Sequence, residues 1–144
     1  MNRILLADPN PTLRSALALL LETRLNVQVI GQVSSMESLI CEAAATQPDI
    51  IIVGLGLLGE SSQERITALR QKSSRANVLI TCTSSEKSNL PEGSEAFLCQ
   101  TDPPEIILQT IQTLIKRTEQ KEIYSGKHSP LSASWRNLLE NESC

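Results

Sequence analysis

The sequence predicts an α/β domain, a parallel β-sheet covered by helices on both faces. Three observations carry this. Short apolar stretches of strand length alternate with longer amphipathic stretches of helix length from residue 3 to residue 118. The stretch "DIIIVGL" (49–55) is the most continuously apolar one, unbroken after Asp49, as expected for a strand buried on both faces of a parallel sheet. Apolar residues make up 40% of the 144-residue chain, enough for one well-filled core, and nearly all of them are aliphatic. Strands that alternate with helices in this way are joined by right-handed crossovers, and functional groups gather at the carboxyl ends of the strands.

The elements follow in order. "RILLAD" (3–8) is a strand, stopped by "PNP". "TLRSALALLLETR" (12–24) places Leu13, Leu17, Leu20 and Leu21 on one helical stripe with Ala16 beside them, and Thr12 belongs to its start. "VQVIGQV" (27–33) alternates like a strand. "SMESLICEAAATQ" (35–47) is a second helix, capped by Ser34 or Ser35, with Glu37 in the first turn where the helix dipole favours an acid. After the strand at 49–55, "SQERITALRQKS" (62–73) is an amphipathic helix and "ANVLITCT" (76–83) a strand. "SEAFLCQ" (94–100) is the last strand. "PPEIILQTIQTLIKRT" (103–118) is a helix with prolines in its first turn, Glu105 near its positive end and Lys116-Arg117 near its negative end. The strand ends then carry Asp8, Gly54, Cys82 or Thr83, and Gln100. Residues 1–118 form the domain. Residues 119–144 read as a linker and a short C-terminal helix carrying Trp135, Leu138 and Leu139.

Composition excludes several function classes. One Trp, one Tyr and one Phe supply little stacking for bases, and the net charge of −3 comes without a Lys/Arg cluster, so no nucleic-acid partner is expected. Cys41, Cys82, Cys99 and Cys144 are far apart and His128 is alone, so no zinc set is visible. No apolar run reaches the length of a membrane span and no signal peptide opens the chain, so no membrane association is expected and the location read from the sequence is cytoplasmic. No nucleophile–base pair can be assembled, and the chain is not expected to be an enzyme.

The stretch Gly54-Leu-Gly56-Leu-Leu-Gly59 matches the G-x-G-x-x-G fingerprint of a dinucleotide-binding turn. Its context is wrong. It follows the third strand rather than the first, and "NVLITCT", at the next strand, offers no carboxylate for a ribose.

A different pattern covers residues 2 to 117. "RILLADPNPTLRSALALLLE", "QPDIIIVGLGLLG", "NVLITCT" and "GSEAFLCQTDPPEIILQTI" resemble, in order and spacing, four blocks of the receiver domains of LuxR-type response regulators. The resemblance implies a flavodoxin-like fold, a doubly wound five-stranded parallel sheet of order 2-1-3-4-5. It also implies a Mg²⁺ site and transfer of a phosphoryl group from a histidine kinase to an aspartate, the chemistry of a two-component phosphorelay. Carried onto this chain, the first acid is Asp8, but the second is Pro9 and the phospho-acceptor position is Gly54. The hydroxyl switch position falls at Cys82 with Thr83 beside it, the lysine position is Gln100, and the aromatic switch position is Phe97.

Glycine has no group that can attack phosphorus, one Asp beside a proline is a poor Mg²⁺ cage, and glutamine brings no cation. Asp49 cannot stand in, since it lies roughly 16 Å back along the same strand. The glycine pattern then reads as an eroded phosphorylation loop, and the losses go together because a charge without its partners costs desolvation. Asp8 is best read as an acid that satisfies loop N–H groups, a weak candidate for a metal ligand. Cys82 and Cys99 read as small buried residues.

Between Cys82 and Gln100, where the family fits a fourth helix, this chain is shorter than the family's, and "TSSEKSNLPEGS" is rich in Ser and contains Pro91, so that helix is expected to be shortened or lost. The resemblance further implies an output surface on the fifth strand and last helix, at Phe97, Ile107 and Ile111. It leaves a homodimer through the first and last helices as the other arrangement. The 26 residues of 119–144 stand where a LuxR-type regulator begins its helix-turn-helix, and are too few to build one. The expected function is a non-catalytic pseudo-receiver, a protein-interaction module in bacterial signalling that phosphorylation does not control, with its Mg²⁺ site lost and no cofactor. The alternative is a small-molecule or ion sensor that uses the vacated pocket at Asp8, Asn10, Gly54, Cys82, Thr83 and Gln100.

Overall fold

The computed structural model describes residues 2–83 and 94–127, with side chains to residue 117. Five strands form one sheet: β1 (Asn2–Ala7), β2 (Val27–Val33), β3 (Ile50–Gly54), β4 (Asn77–Cys82) and β5 (Ala96–Cys99). The order is β2-β1-β3-β4-β5, and every neighbouring pair is parallel. Five helices accompany them: α1 (Pro11–Arg24), α2 (Met36–Thr46), a single turn α3 (Leu55–Leu58), α4 (Ser62–Lys72) and α5 (Pro104–Lys127). A 3₁₀ turn at Gly59–Ser61 joins α3 to α4.

Alternation along the strands sorts the core into two layers. Leu5, Ile51, Val53, Val78 and Ile80 face Leu39 and Ala43 of α2 and Ile66 and Leu69 of α4. Ile4, Leu6, Ile50, Ile52 and Leu79 face Leu21 of α1 and Leu108, Ile111 and Leu114 of α5. On α1 the buried positions are Ala18 and Leu21, whereas Leu13, Leu17 and Leu20 are half-buried and Ala16 is exposed. The stripe is therefore rotated toward Ala18 relative to the sequence reading.

Local signals set the ends. Ser35 caps α2, its hydroxyl accepting the Ser38 N–H at 3.2 Å. Gln47 ends α2 with φ of 47°, and its side-chain amide donates to the carbonyl oxygens of Ala44 and Lys72 at 3.0 and 2.8 Å. Sequence placed a strand over 49–55 and a loop after it. The strand stops at Gly54, and Leu55–Leu58 is already helical because Leu55 and Leu58 bury themselves in the core. Gly59, with φ of 63° and ψ of −152°, sits where only glycine is comfortable, and Arg65 closes this turn by donating to the Leu57 and Leu58 carbonyls at 2.9 Å.

The last helix also differs from expectation. It continues past Thr118 to Lys127, so the start of the stretch read as a linker is helical backbone. Residues 119–125 contain no proline or glycine and are mostly good helix formers, so nothing local stops the helix at 118. The shortened fourth helix and the tail carrying Trp135, Leu138 and Leu139 lie outside the described residues.

Candidate functional site

The five parallel strands end together, and their ends collect the residues that the sequence singled out. Ala7 of β1 pairs with Val53 of β3, and Gly54 pairs with Thr81 of β4. Asp8 and Gly54 therefore meet at the ends of neighbouring strands, on the side of Leu6 and Ile52.

The chain around Asp8 is tied by two successive side-chain-to-backbone turns. The Asp8 N–H donates to the Val33 carbonyl at 3.1 Å, and Asp8 Oδ1 accepts the Asn10 N–H at 2.8 Å. Asn10 in turn caps α1, its Oδ1 accepting from Thr12 N and Leu13 N at 3.0 and 3.2 Å, with Pro11 at the first helical position. Arg14, one turn into α1, reaches back so that its Nη1 donates to the Asp8 carbonyl. Its Nε is buried with no hydrogen-bond partner. Asp8 is left only 8% exposed.

The second carboxylate oxygen decides the character of the site. A Cβ built on Gly54 would lie 2.3 Å from Asp8 Oδ2, 3.2 Å from Asp8 Cγ and 3.7 Å from Thr81 Oγ1. The position read as the lost acceptor is thus filled by the one remaining acid. The cavity that Asp8 and Thr81 line with Leu6, Ala7, Leu13, Arg14, Leu17 and Ile52 has a volume of ≈ 10 Å³, room for about one water molecule. Asn10, expected to line a pocket, spends its side chain on the helix cap.

Other site residues fall in different places. Cys82 turns to the opposite face, 1% exposed in the layer with Val53, Ile80 and the helices α2 and α4. Side chains alternate along β4, so the hydroxyl on the Gly54 side is Thr81, 7% exposed, one residue before the position that sequence chose. Thr83 is exposed just past the end of β4, and Pro9 is exposed at the entrance to α1. Cys99 is buried beside Cys82 in register, its Sγ 3.0 Å from Thr101 Oγ1. Gln100 lies in an exposed turn after β5, where its N–H donates to the Cys82 carbonyl at 2.9 Å. Sequence reasoning missed Arg14, Thr81 and the capping role of Asn10. Of these, only the cap had a local signal, an Asn directly before a proline and a helical run.

The output surface needs one correction. Phe97 is 41% exposed on β5, and Ile107 is half-buried against the α1–α5 layer, but Ile111 is fully buried in that layer. Ile111 sits in the centre of the i, i+1, i+4, i+7 stripe Ile107–Leu108–Ile111–Leu114 that faces the sheet. Among the described side chains of α5, Ile106 is the exposed large apolar residue at 43%, and Leu19 on α1 is 70% exposed.

The comparisons fit this geometry. The chain is 31% identical over 141 residues to a nitrate/nitrite response regulator protein homolog of Haemophilus influenzae, an alignment of 95% of this chain and 63% of that protein. It is 28% identical over 112 residues to the nitrate/nitrite response regulator NarL of Escherichia coli K12, covering 75% of this chain and 52% of NarL. Among solved structures, the receiver domain of AraT, a response regulator from Geobacillus stearothermophilus, superposes with a TM-score of 0.74 at 15% identity, covering 84% of this chain and 98% of that domain. The fold is that of a response-regulator receiver domain. Its sequence relatives are response regulators of the NarL type, and the chain spans a little over half the length of the two described here. No family model matches.

Within this receiver fold a receiver-type Mg²⁺ does not fit the residues present. The ion takes several oxygen ligands. Asp8 has Oδ1 engaged by the Asn10 N–H and Oδ2 packed against Gly54, while Pro9 and Gly54 carry no side-chain oxygen. Among the described residues no three His, Cys, Asp or Glu side chains converge. No described helix is long and apolar enough to cross a membrane.

Proposed function

We propose that this chain is a pseudo-receiver, a non-catalytic interaction module in bacterial two-component signalling whose state does not depend on phosphorylation. The observation that carries the reading is the contact between Asp8 and Gly54. Phosphoryl transfer to a receiver needs a free carboxylate on the third strand, a divalent cation and a fixed positive group. Here the third strand offers Gly54, the space beside it holds the Asp8 carboxylate, and the turn after β5 carries neutral Gln100. The alternative, an ion or small-molecule sensor at the same edge, is the second reading; among the described residues the cavity that Asp8 and Thr81 line measures ≈ 10 Å³.

The module then works by shape. Phe97 and Ile106 form the apolar part of the β5–α5 surface offered to a signalling partner, and the exposed face of α1 with Leu19 is the surface for a homodimer. On this reading the module acts in the cytoplasm, without direct contact to DNA or membrane. Incubation with acetyl phosphate and Mg²⁺, followed by intact-mass measurement and acid-labile phosphate analysis, tests the reading. No mass increase is expected, and an acyl phosphate on any aspartate would overturn it.

A further inference from the structure

The Asp8 side chain is held more tightly than a loop acid requires. Its Oδ1 takes the Asn10 N–H at 2.8 Å, its own N–H is fixed to Val33 O at 3.1 Å, and its carbonyl receives the Arg14 guanidinium. Its Oδ2 points into the volume that any side chain at position 54 would enter, 2.3 Å from the ideal Cβ. Gly54 itself has an ordinary backbone, with φ of −73° and ψ of 135°, which any residue adopts without strain. Conformation therefore does not require glycine at 54. The neighbouring carboxylate does.

We propose that positions 8 and 54 form a compensating pair, in which the Asp8 carboxylate occupies the place of the residue-54 side chain and fixes the carboxyl edge of the sheet in one arrangement. This rests on the pseudo-receiver reading for its meaning in signalling, and on geometry alone for its mechanics. A side chain at 54 must push Asp8 out. Moving Oδ2 disturbs the same carboxylate whose Oδ1 accepts the N–H of Asn10, the residue that caps α1. Thr81, with its hydroxyl 3.7 Å from the same ideal Cβ, closes the third side.

A double-mutant cycle on the full chain tests the pair, with Gly54→Ala and Asp8→Ala made singly and together and thermal midpoints compared. Gly54→Ala alone is expected to lower the midpoint by about 4 °C or more. In the Asp8→Ala background the same change is expected to leave the midpoint level or raise it, since alanine at an unstrained site restricts the unfolded chain. Equal shifts in the two backgrounds would overturn the proposal. A second readout needs only the single variant: in Gly54→Ala the Asn10 amide is expected to shift in the NMR spectrum and lose exchange protection. An unmoved, equally protected Asn10 amide would also overturn it. Acetyl phosphate labelling of the unmodified chain would sink the pseudo-receiver reading and leave the cycle to decide the pair.

Discussion

The two edges of the sheet treat charge in opposite ways. At the amino edge, Asp49 receives the Arg3 N–H on Oδ2 at 2.8 Å and the Arg75 guanidinium on Oδ1 at 3.4 Å, while its carbonyl accepts the Asn77 N–H at 2.9 Å. Glu95 does the same one strand further along, with Arg70 on one oxygen and the Val78 N–H on the other. Each of these acids therefore spans two neighbouring strands and holds a cation. At the carboxyl edge the positions that would carry a second acid, an acceptor and a lysine are Pro9, Gly54 and Gln100. Asp8 is answered by a backbone N–H and makes no ion pair among the described residues. A buried carboxylate persists where its partners persist. A charge without partners costs desolvation, which fits the uncharged residues at Pro9, Gly54 and Gln100 and the backbone bond of Asp8.

This contrast can be broken or sharpened by substitution, and the largest effect is expected at the amino edge. Glu95→Ala removes a half-buried ion pair and leaves the Val78 N–H without its carboxylate, a loss of about 2–3 kcal/mol in chemical denaturation. Asp49→Ala leaves the Arg3 N–H without its side-chain acceptor and should cost about 1–2 kcal/mol by the same measurement. Asn10→Ala, at the carboxyl edge, strips the cap from α1 and should cost about 1 kcal/mol. The smallest effect belongs to Arg75→Ala: its side chain is 56% exposed, so the change should fall within about 0.5 kcal/mol of wild type. Should Asn10→Ala exceed Glu95→Ala, the carboxyl edge rather than the amino edge would be the charged clamp of this fold.

Much of the frame was legible in the sequence. The order of elements follows from the switch between period-2 and period-3.6 patterns, and the unbroken "IIIV" run correctly announced a strand buried on both faces. What sequence could not settle was which side of an element faces which neighbour. Ile111 belongs to an apolar stripe, and only packing shows that it is the centre of that stripe and Ile106 its exposed edge. Cys82 and Thr81 are adjacent in the chain, yet strand alternation sends them to opposite faces, and a one-residue shift in the reading exchanged their roles. At the candidate site, Pro9, Gly54 and Gln100 could be read from the sequence as departures from the family's pattern. That Asp8 fills the gap at Gly54 could not, because the contact joins residues on two strands and depends on register and rotamer. The end of α5 was misplaced for a simpler reason: rising polarity after Thr118 signals exposure, which a protruding helix shares with a linker.

The central claim is that no phosphorylation switch operates at the carboxyl edge. The amide NMR spectrum of the labelled full chain, recorded before and after Mg²⁺ and then acetyl phosphate, tests it most directly. The expected result is that the amides of Asp8, Asn10, Gly54 and Thr81 stay in place through both additions. Saturable shifts at those residues on adding Mg²⁺, followed by a new set of peaks with acetyl phosphate, would contradict it.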